Sequence, residues 1–126
     1  MGVRAVTVVW VFLAGGLGSA ARYLIGLSMN GATFPYGTVL VNLVGCFFLG
    51  VVAHAASAGT LGAEARAVIA VGFLGGFTTY SSFNQETLTM FASGATGTAF
   101  LNVAITLAGG LAAGALGLTA GRFLTT

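Results

Sequence analysis

Charged side chains are so sparse in this chain that the gaps between them decide what it can become. Arg4, Arg22, Glu64, Arg66, Glu86 and Arg122 are all of them, with His54 as the single histidine and no lysine or aspartate. Between the charges lie uncharged runs of 17 residues (5–21), 41 (23–63), 19 (67–85) and 35 (87–121). A helix that crosses a bilayer needs about 20 apolar residues, so the chain has room for four spans and little else. An ordinary soluble domain is about 25% charged; at 5% charged and 57% hydrophobic, this one cannot cover a water-facing surface. A soluble enzyme is excluded on that ground.

The same scarcity removes other classes. The net charge of +2 comes from scattered arginines, which gives no electrostatic footprint for nucleic acid. Cys46 is the only cysteine, so no intrachain disulfide can form. One histidine and two carboxylates are too few for a transition-metal site, a hydrolytic triad or a carboxylate pair. The chain is expected not to be an enzyme, and to work inside the membrane with carbonyls, hydroxyls, amides and rings.

Strand-type alternation is absent, and the apolar runs are too long for barrel strands, so the fold is expected to be all-α. Four transmembrane helices are drawn at about 5–27, 36–57, 66–91 and 97–124, in one domain spanning 1–126. The connections are a turn over Asn30-Gly31-Ala32-Thr33-Phe34-Pro35, a polar loop at 58–65, and the small-residue turn Ser93-Gly94-Ala95-Thr96. Arg4, an apolar 5–14 and the small Gly18-Ser19-Ala20 have the outline of a secretory signal. The apolar pattern runs on to Leu27, however, so the first segment is read as a retained span. The 21 glycines are more than twice the usual share of about 7%. Gly110 with Gly114, Gly117 with Gly121, and Gly15, Ser19 and Gly26 on one face of the first span suit close helix approach in lipid. Arg4, Arg66 and Arg122 fall on the side of the termini and Arg22 toward the other. That bias leans the termini to the cytoplasm but is weak enough to leave both orientations populated.

Chemistry concentrates in Gly72-Phe73-Leu74-Gly75-Gly76-Phe77-Thr78-Thr79-Tyr80-Ser81-Ser82-Phe83. A glycine pair followed by hydroxyl residues and aromatics is poor material for a continuous helix. A break there would free carbonyls, which bind hard cations; a kink satisfied by the local serines and threonines is the other reading. Arg22 either snorkels or stands as a fixed charge that concentrates anions. Thr38, Asn42 and Gly45 share a helical face, so the Asn42 amide points to neighbouring helices. Asn102 and Thr106 stack along the last span, as interhelical glue or as rungs lining a path. Glu86 is either a proton relay or a carboxylate bonded to a hydroxyl such as Ser82. Trp10 and most phenylalanines read as lipid-facing or packing residues.

In order and spacing these segments resemble the small bacterial fluoride channels, the Fluc or CrcB family. The matching pieces are Gly15-Gly16…Gly18…Arg22-Tyr23, then Pro35-x-Gly37-Thr38-x-x-Val41-Asn42-x-x-Gly45, then the Gly72–Phe83 stretch with Glu86, and finally Asn102-Val103…Gly109. The resemblance covers nearly the whole chain. It implies an antiparallel, dual-topology homodimer of four-helix subunits in the cell's inner or plasma membrane, with the third helix broken at midplane. It also implies passive fluoride export conferring fluoride resistance, through pores along the subunit interface. A structural sodium ion is implied at the centre, held by the main-chain carbonyls of Gly75 and Thr78. The pore is implied at Asn42, Tyr80, Phe83, Asn102 and Thr106. Arg22, Thr38, Thr79, Ser81, Ser82 and Glu86 are placed in vestibule and supporting roles. Tyr80 stands where relatives usually carry phenylalanine, and Gly110 where they commonly bear a hydroxyl.

Two other classes remain on the residues alone. A small dual-topology multidrug/proton exporter has the right size, but it wants an acid in the first span, and 5–21 has none. A non-conducting membrane assembly subunit would use the glycines and leave the Gly-Gly-x-Thr-Thr segment and Asn42 without a purpose.

Overall fold

The computed structural model describes residues 2–29 and 31–125; Asn30, placed by the sequence in the first turn, lies outside them. Two long helices open the chain, α1 (Gly2–Ser28) and α2 (Tyr36–Ser57). They are followed by α3 (residues 63–77), α4 (Tyr80–Ala92) and α5 (Thr96–Leu124). No strand occurs among the described residues. Helices α1 (from Arg4), α2 and α5 are long and apolar enough to cross a membrane.

The remaining expected span, 66–91, is divided. Helix α3 starts with an ordinary α-turn at Ala63–Arg66, widens to π geometry over Ala67–Leu74, and closes with Gly75–Phe77. Thr78 (φ −85°, ψ 159°) and Thr79 (φ −153°, ψ 115°) are extended, and α4 begins at Tyr80. The glycine pair itself therefore stays helical, and the helix ends one residue beyond it, at Phe77. Glycine weakens a helix by only about 1 kcal/mol, which does not fix where the helix stops. The stopping point is set by what Thr79 finds to bond, as described below.

The connections are tight. Pro35 stands immediately before α2, where its missing N–H costs nothing. Gly31, Gly59 and Gly94 lie in the three turns with φ of 93°, 74° and 82°, the left-handed region that side chains rarely adopt.

Packing runs through backbone rather than side chains. Helix α1 lies on α3 so closely that a Cβ at Gly18 would collide with the Phe73 carbonyl, and one at Gly76 with the Gly15 carbonyl. Helix α2 lies on α5 in the same way: a Cβ at Gly50 would strike the Gly114 carbonyl, and one at Gly117 the Phe47 carbonyl. Small residues let helices approach to this distance where lipid supplies no hydrophobic drive. Gly121 sits against His54, and Gly110 faces the Cys46 sulfur. Gly26 has open space where its own Cβ would go but lies with its backbone against Gly37 of α2, and Ser19 hydrogen-bonds the Gly76 carbonyl (3.4 Å). The buried core is small, comprising Val39, Val41, Leu74, Phe77, Phe83, Met90 and Ala99 among its apolar members. Phe12, Leu111 and Phe123 are more than three-quarters exposed, an outer surface suited to acyl chains and not to water. Trp10 is exposed as well.

Candidate functional site

The face of α2 that carries Thr38, Asn42 and Gly45 is applied along its length to the interrupted segment. Thr38 Oγ1 donates to Glu86 Oε1 at 2.7 Å. Asn42 clamps the Thr79 backbone from both sides: Oδ1 accepts from the Thr79 N–H (2.7 Å) and Nδ2 donates to the Thr79 carbonyl (3.0 Å). Gly45 leaves space that the Thr78 methyl occupies, since a Cβ there would collide with it. A bidentate amide is the side-chain equivalent of a strand partner, and it explains why the chain is extended here.

The clamp has a consequence for the carbonyls upstream. In a continuous helix the Thr79 N–H would bond the Gly75 carbonyl, and the Ser82 N–H the Thr78 carbonyl. The first goes to Asn42, and the second goes to Thr79 Oγ1 (3.2 Å), which caps α4. Ser82 Oγ (3.1 Å) and Ser81 Oγ (3.3 Å) complete the hydroxyl cluster on Thr79. Gly75 and Thr78 are thus freed of their helical donors, and both line one groove. The Gly76 carbonyl is claimed instead by Arg22, whose Nε donates to it at 3.1 Å. Arg22 thus has a backbone partner within the protein. It turns inward to the C-terminal end of α3, where a cation is favoured by the helix dipole. The Thr78 hydroxyl donates back to the Leu74 carbonyl (2.9 Å).

The groove holding the freed carbonyls has a volume of about 300 Å3, and Asn42, Tyr80, Phe83 and Thr106 also line it. None of its lining residues is charged. The Tyr80 and Phe83 rings lie 5.7 Å apart at 60°. Phe83 is buried, whereas Tyr80 is 75% exposed. Thr106 Oγ1 is buried without a hydrogen-bond partner among the described residues. A helical threonine usually bonds the carbonyl four residues back, and here the helix widens to π geometry over Ile105–Gly109. Two further grooves adjoin. One of about 340 Å3 is lined by Arg22, Thr38, Thr79 and Ser82; the other, of about 540 Å3, is lined by the first turn and Glu86.

Two expected residues sit differently. Asn102 does not line the groove: it is fully buried, and its Nδ2 donates to Thr87 Oγ1 at 2.9 Å. Of its two readings, interhelical glue is the one seen. Glu86 is bonded by Thr38, not by Ser82. Thr87 was not singled out by the sequence, where it is one hydroxyl among several. Only the need of a buried Asn102 for a partner could have pointed to it.

Residues 9–118 match the family described as CrcB-like protein, Camphor Resistance (CrcB). The chain belongs to the CrcB family. This CrcB chain is 43% identical over 121 residues to a protein of Sorangium cellulosum, an alignment covering 91% of the chain and 94% of the relative. It is 40% identical over 126 residues to one of Bacillus cereus (97% and 92% covered). A third, from Shewanella woodyi, is 42% identical over 103 residues (79% and 83%). All three carry the name fluoride-specific ion channel FluC, the Bacillus protein as FluC 1. The CrcB chain is thus a multi-pass membrane protein from a family of ion channels, not enzymes.

Proposed function

We propose that this CrcB chain is a fluoride-selective channel that exports fluoride from the cytoplasm by passive electrodiffusion and so confers fluoride resistance. The observation that carries the reading is the uncharged groove lined both by two aromatic rings and by hydrogen-bond donors with hydrogens to spare. The Thr106 hydroxyl has no acceptor among the described residues. Asn42 Nδ2 has two hydrogens, one of which is spent on Thr79. Aromatic edges are electropositive, so Tyr80 and Phe83 replace part of the water around a small anion without adding a fixed charge. Conduction needs binding weak enough to release the ion, and an arginine in the groove would hold fluoride too well. Arg22, in the neighbouring groove, enriches anions at the approach instead. Chloride is larger, and in this reading the close approach of Phe83 and Tyr80 across the subunit interface excludes it.

The functional unit in this reading is an antiparallel homodimer in the inner or plasma membrane. The largely exposed Tyr80 and the open side of its groove are covered by a second copy, and the weak arginine bias lets the two copies insert oppositely. The interruption at Thr78-Thr79 then lies near the bilayer midplane, where non-helical backbone is tolerated only under protein cover. Gly75 and Thr78 are the residues that would hold a sodium ion. Their carbonyls are the ones freed of helical donors, and neutral oxygens suit a hard monovalent cation. Bound there, sodium supplies a fixed positive charge that ties the carbonyls of the two copies together.

The test is anion efflux from liposomes containing the purified protein. Fluoride efflux without chloride efflux is expected. A folded, reconstituted protein that passes no fluoride, or one that shows drug-dependent proton flux instead, overturns the assignment.

A further inference from the structure

Helix α4 carries both rings of the groove, and hydrogen bonds from two neighbouring helices hold it at adjacent residues. On one side Thr38 of α2 bonds Glu86. On the other, Asn102 of α5 donates to Thr87 Oγ1, and Thr87 in turn donates to the Phe83 carbonyl at 2.7 Å. Asn102 and Thr87 are both buried, and so is Phe83. The donors run in one direction, from Asn102 to Thr87 to the backbone of the residue that bears the ring. Thr87 also lines, with Tyr80 and Phe83, a second groove of about 260 Å3 on the α5 side. Consecutive helical residues point about 100° apart, so bonds at Glu86 and Thr87 together oppose rotation of α4 about its axis. Side-chain ends lie about 5–6 Å from a helix axis, so a 10° rotation would displace the Phe83 ring by about 1 Å.

We propose that Thr87 is a positioning residue for Phe83, and that Asn102 acts through Thr87 and not on the ion. The proposal rests on the channel reading above. Asn102 turns its donor away from the groove, toward Thr87, and its Oδ1 is buried without a partner among the described residues. An unpaired acceptor repels an anion, so this side chain is suited to holding a helix and not to passing fluoride. Thr87, by contrast, uses its hydroxyl twice, as acceptor from α5 and as donor within α4. Valine would keep its shape and lose both bonds.

The experiment compares wild type, Thr87→Val, Thr87→Ser, Asn102→Ala and the Thr87→Val/Asn102→Ala double mutant. It reads fluoride efflux from liposomes per folded dimer, with chloride efflux alongside. Misplacement of about 1 Å is expected to lower fluoride efflux by about tenfold or more in Thr87→Val, with Thr87→Ser restoring most of it. The double mutant should be no worse than the poorer single mutant, because both substitutions cut the same connection. Unchanged efflux per folded Thr87→Val dimer overturns the proposal, as does a double mutant whose losses multiply, which would place Asn102 on the ion itself. Should Thr87→Val not assemble, Thr87→Ala paired with Asn102→Ala decides the same point. Failure of wild type to pass fluoride would sink the channel reading, and intact wild-type efflux with the outcomes just named sinks this proposal alone.

Discussion

Removing the Asn42 amide strikes the inter-helix contact that holds the Thr79 backbone out of a helix. Asn42→Ala deletes two hydrogen bonds, 2.7 and 3.0 Å long, to a Thr79 that is only 9% exposed. Each buried backbone group left unpaired costs about 1–3 kcal/mol, which gives about 2–6 kcal/mol for the pair. Thr79 borders two grooves that admit water, so the lower end applies, about 2–3 kcal/mol. The released N–H has a ready alternative acceptor in the Gly75 carbonyl four residues back. Taking it would extend α3 and withdraw one of the two oxygens proposed for sodium. The assay is unfolding of the purified protein in detergent by denaturant, with sodium or a larger monovalent cation as the salt. Wild type should gain stability with sodium concentration, as any ligand of the folded state confers. Asn42→Ala should be destabilised by the stated amount and lose that sodium dependence, and its fluoride efflux should fall. Wild-type stability within about 0.5 kcal/mol, together with an intact sodium response, would refute the clamp.

Phe83→Ile keeps apolar bulk but removes the electropositive edge, so fluoride efflux should collapse while the dimer survives; full efflux from a folded Phe83→Ile dimer would end the assignment of the ring. Tyr80→Phe should be mild in the same assay, because it removes only a hydroxyl for which no hydrogen bond is seen. Gly117→Ala drives a methyl into the Phe47 carbonyl and should cost about 1–3 kcal/mol or more. Its yield of monodisperse protein on size exclusion should drop, whereas Gly62→Ala, with open space at its Cβ, should match wild type. A cysteine placed at the exposed Ser93 turn in a Cys46→Ala background should be labelled from either side of the membrane in different molecules, and strictly one-sided labelling would exclude the antiparallel pair.

Helical periodicity was enough to place the α2 face. Thr38, Asn42 and Gly45 fall one turn apart, and all three meet the interrupted segment. The partners were less legible, because several are backbone atoms. Nothing in the residue types announces that Arg22 will find the Gly76 carbonyl, or that Asn42 will bond both sides of Thr79. The end of α3 illustrates the same limit. Gly75-Gly76 marks a weak helix, but the stop falls where a capping hydroxyl and an amide from another helix take the next donors. The π turns at Ala67–Leu74 and Ile105–Gly109 carry no compositional mark. Without the second of them, Thr106 would be read as an ordinary threonine bonded to its own helix. Asn102 was assigned by position on α5, and its depth and its bond to Thr87 depend on a helix pairing that no single-chain pattern encodes.

The glycine contacts divide the molecule mechanically. Helices α1 and α3 meet backbone to backbone, as do α2 and α5, so neither pair can slide or turn without one main chain striking another. Helix α4 has no such glycine seam: polar bonds from Thr38 and Asn102, and from Asn42 to its N-cap residue Thr79, tether it to its neighbours. Stiffness is therefore concentrated in two pairs that bear no ring of the groove, and compliance in the short helix that bears both. Evolution can retune the ring-bearing helix by changing a hydroxyl or an amide, while the frame tolerates almost nothing larger than a hydrogen atom at its seams.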